Sequence, residues 1–136
     1  MCLALYIGSN LELNESAWNK NEPHFYIETV PAGNKVKKQF STPFVYYAGS
    51  HEGCGCGFFK EGRESEELQQ AQENYSNLVK TIEQTINEGE AVQLFSCWEG
   101  DQGRSPEVNK TISLFELVAP EFEFQELQFL NVVKNA

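Results

Sequence analysis

Between Ser65 and Glu88 apolar residues recur at steps of three and four: Leu68, Ala71, Tyr75, Leu78, Val79, Ile82 and Ile86. That spacing places them on one stripe of an α-helix. Glu64, Glu66 and Glu67 stand where the positive end of a helix dipole favours acid. Ser65 suits an N-cap, and Gly89 suits the residue just past the last turn. At ~1.5 Å per residue such a helix runs about 35 Å. A single apolar stripe has to be covered, so the helix must lie along a sheet or a partner. The expected fold is therefore α+β, a mostly antiparallel sheet with one long helix (about 65–88) packed on one face.

The flanking segments supply the strands. Cys2 to Ile7 reads as the first, with Leu3, Leu5 and Ile7 on its inner face. Residues 9–23 are polar, hold the isolated Trp18 and end at Pro23, which makes them a long loop. His24 to Val30 is aromatic and β-branched, a second strand. Val36 to Phe40, with Lys35, Lys37 and Lys38, suits a short helical turn. Phe44 to Ala48 is apolar on both faces, as in a strand covered on each side. Ala91 to Trp98 is the strand after the helix, followed by the polar loop EGDQGRSPE.

Ser113 and Glu116 form a capping-box pattern that opens a short helix near 113–118, ended by Pro120. Phe122 to Val133 reads as a last long strand. Its apolar parity shifts between Phe124 and Leu127, which requires a bulge or a start near Glu126. A chain of 136 residues, 40% hydrophobic and with ten phenylalanines, fits a single domain (1–136) with a core that stands without disulfides.

The reactive chemistry concentrates in Phe44–Phe59, FVYYAGSHEGCGCGFF. Here a strand runs into a loop (49–57) in which Gly49, Gly53, Gly55 and Gly57 free the backbone to turn tightly. The loop carries Cys54, Cys56 and His51. If the first strand is antiparallel to the strands at 44–48 and 91–98, then Cys2, Cys54, Cys56, Cys97 and His51 gather at one edge of the sheet. Thiolates suit a soft ion such as zinc, so all five are candidate metal ligands, although Cys-x-Cys is tighter than the usual spacing. The competing chemistry is a reactive thiol, Cys54 or Cys56, with His51 as base and backbone N–H groups lowering the thiol pKa.

An opening Met-Cys resembles that of the glutamine amidotransferases and other N-terminal-nucleophile hydrolases. The resemblance spans two residues. This chain has neither the length nor the paired sheets of that four-layer fold, so Cys2 is read as the buried start of a strand.

Composition narrows the partners. A net charge of −10 argues against nucleic acid, which needs clustered Lys and Arg. No apolar run is long enough to span a membrane, and the first residues lack the basic and apolar regions of a signal peptide. The expected location is cytoplasmic, where thiols stay reduced. A terminal strand rich in Phe and Val can pair across a two-fold axis, which would make a homodimer. Function thus divides between a cysteine-rich pocket built on the 49–57 loop and a non-catalytic interaction or regulatory module in which the cysteines only pack. An enzyme or metal site is expected to bring His51 and at least two thiols together around a cavity, and a binding module to show an exposed apolar patch on the last strand or in the 9–23 loop.

Overall fold

The computed structural model describes residues 2–136. Six strands form one sheet: β1 (Leu3–Ser9), β2 (Tyr26–Thr29), β3 (Phe44–Gly49), β4 (Val92–Trp98), β5 (Val108–Ser113) and β6 (Gln128–Val133), in the order β2-β3-β1-β4-β6-β5. All neighbours are antiparallel except β5 and β6. The long helix α1 (Ser65–Asn87) lies on one face. Short 3-10 turns occupy Lys35–Gln39, Gly55–Phe58 and Leu114–Val118. The α+β reading therefore holds.

The helix face is where most of the core sits. Leu3, Leu5 and Ile7 of β1 meet Tyr75, Leu78, Val79, Ile82 and Ile86 of α1, as the stripe requires. Phe58, carried over the sheet by its 3-10 turn, is fully buried and packs edge-on against Phe25, Tyr75 and Phe124 at centroid distances of 6.2, 5.2 and 5.6 Å. Replacing it with alanine leaves a cavity between sheet and helix that neither can close, so Phe58→Ala should cost about 3–5 kcal/mol in urea unfolding. A loss below about 1 kcal/mol would mean the aromatic cluster is loosely packed.

The other face is not left to solvent. Ala4, Tyr6, Val45, Phe95, Cys97 and Phe129 form a second apolar cluster under Val30, Val36 and Leu127. The segment 30–42 and its 3-10 turn serve as the cover: a Cβ on Gly8 would lie 2.4 Å from the Phe40 ring. Every residue of β1 is consequently buried, where the sequence reading gave it one inner face.

Several boundaries move. β2 is only four residues long, and neither His24 nor Val30 belongs to it. The preceding loop bridges to it instead, with the Ser16 N–H donating to the Ile27 carbonyl at 3.0 Å. Ser65 is not the N-cap. Glu64 holds that place without a side-chain hydrogen bond, and Ser65 opens the helix at φ 38°. Gly89, at φ 90°, ends it as expected.

β5 lies between the polar loop and the capping box, in a stretch that the sequence pattern assigns to no element. Its residues Asn109, Lys110 and Thr111 are exposed at the sheet edge, and only Ile112 is buried, so it lacks an apolar signature. The capping box at Ser113 and Glu116 is present, closing a 3-10 turn and not an α-helix. The parity shift near the end has a single cause. Leu127 takes φ 50°, which turns the chain over so that Phe124 faces α1 while Leu127 and Phe129 enter the second cluster. β6 then begins at Gln128 and runs between β4 and β5. A strand paired on both sides cannot add a partner across a two-fold axis; the edge strands are β2, whose outer side takes the Ser16 bridge, and β5.

No helix among the described residues is long and apolar enough to cross a membrane.

Candidate metal centre

Because β1 is antiparallel to both β3 and β4, its beginning lies beside their ends. The Glu99 N–H donates to the Cys2 carbonyl at 2.8 Å, and the loop leaving β3 folds back over the same corner. There the Sγ atoms of Cys2, Cys54 and Cys56 come together, each within 4.8 Å of the others and each half-buried.

Ser50 and Gly55 set this loop. Ser50 is fully buried. Its hydroxyl donates to the Cys54 carbonyl and accepts from the Gly57 N–H (3.0 Å) and the Glu52 N–H (3.2 Å). Gly55 lies directly on β1, where a Cβ would stand 2.2 Å from the Leu3 carbonyl oxygen. Only a residue without a side chain lets the backbone between the two cysteines come this close to Cys2. Trp18 of the long loop closes the outside, its Nε1–H donating to the His51 carbonyl at 3.1 Å.

The helix contributes Asn74. Its Oδ1 accepts from the His51 N–H (3.1 Å), while its Nδ2 donates to the Gly57 carbonyl (3.1 Å) and to His51 Nδ1 (2.8 Å). The imidazole lone pair at Nδ1 is thereby occupied, and the ring proton belongs on Nε2, 4.0 Å from Glu52. Arg63 braces the loop from outside through the Glu52 carboxylate (2.8 Å) and the Cys56 carbonyl (3.0 Å).

Of the five residues singled out from sequence, then, three converge. Cys97 lies outside the group, fully buried in the second apolar cluster. His51 lies on the loop, but its ring is held by Asn74 and lines a separate cavity of about 70 Å³ with His24, so the sulfurs gather without the histidine expected to join them. Ser50 and Asn74 are the supporting residues that sequence reasoning missed. Asn74 did leave a signal, since it falls between Ala71 and Leu78 on the apolar stripe, where a polar side chain must find partners.

Electrostatics bears on the reactive-thiol alternative at Cys54. Burial pushes the Cys54 thiol up to about 12; the Cys56 backbone N–H opposes this, and the Cys56 and Cys2 side chains add to it. A nucleophilic cysteine needs the opposite shift and a free base. Cys54 has neither.

Comparison with family models, with curated proteins and with solved structures matches nothing. The site must be read from its own atoms. Three sulfurs that already lie near one another, one just ahead of β1 and two on a loop braced by Ser50, Gly55 and Asn74, form a donor set for a thiophilic ion.

Proposed function

We propose that this protein is a soft-metal-binding domain, folded as one unit over 1–136, in which Cys2, Cys54 and Cys56 hold a thiophilic ion. What supports the reading is the meeting of three sulfurs from two distant parts of the chain. Sulfur donors select zinc or cuprous copper over the hard cations. Three protein ligands on a half-exposed corner leave room for one further donor, the arrangement of zinc sites that polarise a bound molecule and not of closed structural ones. All four cysteines are free, as a reducing compartment such as the cytoplasm would keep them. Packing alone accounts for Cys97; it does not account for three thiols facing one another.

The residues of the chain divide the task. The thiolates bind; Gly55 and Ser50 fix the approach of the loop to β1; Asn74 carries that position into the helix. Since Cys54 keeps its proton at neutral pH, the ion must displace it, and affinity should climb with pH.

Equilibrium dialysis of the tag-free protein against buffered Zn²⁺, and separately Cu⁺, is the test. About one equivalent should bind, and Cys54→Ser or Cys56→Ser should weaken it by more than about a hundredfold, beyond the loss typical when only a residue that supports a ligand is changed. Cys97→Ala should leave affinity unchanged. Failure of both ions to bind, or binding that survives loss of all three thiols, overturns the proposal.

A further inference from the structure

The three sulfurs that can hold an ion can also bond to one another, and the backbone decides which pair does. Cys2, Cys54 and Cys56 lie within 4.8 Å of each other as free thiols. A disulfide needs its sulfurs ~2.05 Å apart, and turning a thiol about its Cα–Cβ bond closes much of that gap without moving backbone.

The two loop cysteines are the poorer pair. Only Gly55 separates them, so a bond between them closes a small ring. Cys54 is extended, at φ −150° and ψ −175°, while Cys56 already belongs to the 3-10 turn. The backbone around them is pinned at each residue. The Cys54 carbonyl accepts from the Ser50 hydroxyl and N–H, and the Cys56 carbonyl from Arg63 and the Phe59 N–H. Gly55 between them sits on the Leu3 carbonyl. Such a ring closes only by bending this backbone, and a strained disulfide is the more easily reduced.

Cys2 has no small ring to close. It stands at the start of β1, with its carbonyl held by the Glu99 N–H, and meets the loop across space. The native fold therefore presents Cys2 to both loop sulfurs at high effective concentration. A bond between the two segments takes away ligands, because thiolates bind the ion and a disulfide does not.

We infer that the thiol corner is a redox switch: a small disulfide of the glutathione class oxidises Cys2 and one loop cysteine to a strand-to-loop disulfide and so expels the ion. The switch rests on the metal reading and gives that site its regulation. One protein thiolate attacks a sulfur of the small disulfide, whose S–S bond breaks and releases one small thiolate. The second protein thiol loses its proton, attacks the protein sulfur of the mixed disulfide and displaces the second small thiolate. Two electrons thus pass from the protein sulfurs to the small disulfide, which leaves as two thiols carrying the two protons. Excess reducing thiol runs the same steps backward. The oxidised form has lost two of three donors, and the remaining sulfur cannot hold the ion alone.

The test equilibrates tag-free protein, ion-free and zinc-loaded, over a series of reduced-to-oxidised glutathione ratios, then quenches it in acid, alkylates it and maps its peptides by mass spectrometry. In the ion-free chain, two of the four free thiols should be lost to one bond joining the Cys2 peptide to the 49–57 loop, with Cys97 still alkylated on denaturation. The oxidised protein should bind zinc more than about a hundredfold more weakly and recover with dithiothreitol. Free zinc about a hundredfold above its dissociation constant should lower the oxidised-to-reduced ratio about a hundredfold, because it binds the reduced form alone. Cys2→Ser should leave both loop thiols reduced at the glutathione ratio that oxidises half of the unsubstituted chain. Cys56→Ser should still link Cys2 to Cys54, and circular dichroism checks that each variant is folded. A bond confined to Cys54 and Cys56, or only glutathione adducts and bonds between chains at every ratio, overturns the switch and leaves metal binding standing. A protein that forms the strand-to-loop bond yet binds neither Zn²⁺ nor Cu⁺ when reduced overturns the metal reading and the expulsion step with it. The peptide map tells the two failures apart.

Discussion

Gly55→Ala is expected to unfold the thiol corner and abolish metal binding together. The added Cβ would meet the Leu3 carbonyl oxygen at 2.2 Å and its carbon at 2.9 Å, both backbone atoms. Backbone there yields little, because Leu3 is paired with Trp98 of β4, β3 takes the other side of the strand from Leu5 onward, and β1 is buried throughout. The loop must move instead. Displacing it separates Cys54 and Cys56 from Cys2 and strains the hydrogen bonds at Ser50. Overpacking of this kind costs about 1–3 kcal/mol in urea unfolding, and metal affinity should fall by more than about a hundredfold. Gly33→Ala is the control: nothing lies within 4 Å of its Cβ position, so stability and affinity should both be kept. A Gly55→Ala protein with full stability and full affinity would show that the loop does not need its contact with β1.

Much of this architecture is readable from residue patterns because those patterns are periodic. The stripe from Ala71 to Ile86 has one solution, a helix on a sheet, and the structure buries each of its apolar residues. Leu68, first in the stripe, remains exposed in the first turn of the helix. The convergence of Cys2 with Cys54 and Cys56 was legible as soon as β1 was taken as antiparallel to its neighbours. Which sulfurs meet was not. Strand direction sets where a residue ends up along the sheet, but the face a side chain takes depends on register and on what packs above it. Cys97 therefore fell into an apolar cluster beside Phe95 and Phe129. β5 escaped notice for a related reason, since an edge strand needs backbone partners and little apolar surface. Leu127 left a trace in the parity shift, yet its positive φ has no residue signature, because leucine rarely adopts that region.

Raising the pH should unfold this protein abruptly, with the tyrosines ionising only as it opens. All five tyrosines are shifted upward, in each case chiefly by burial: Tyr26 to about 12, and Tyr6, Tyr46, Tyr47 and Tyr75 also above the ordinary 10.0. Burial likewise lifts Cys97 from 9.0 to about 12, helped by Glu99 and Asp101. Each of these acids is neutral when protonated, and the folded state holds its proton more tightly than the unfolded chain does. The unfolded state therefore binds fewer protons once pH passes the ordinary values, and stability falls with pH in that range. The contribution is complete below about pH 9, declines first through Cys97 and then through the tyrosines, and is lost as pH approaches 12. Phenolate absorbance and far-ultraviolet circular dichroism, followed together across this range, should change in one coincident transition. Phenolates that form near pH 10 while the circular dichroism stays native would mean that water reaches the rings of Tyr6, Tyr26 and Tyr47. The second face of the sheet would then be open to solvent.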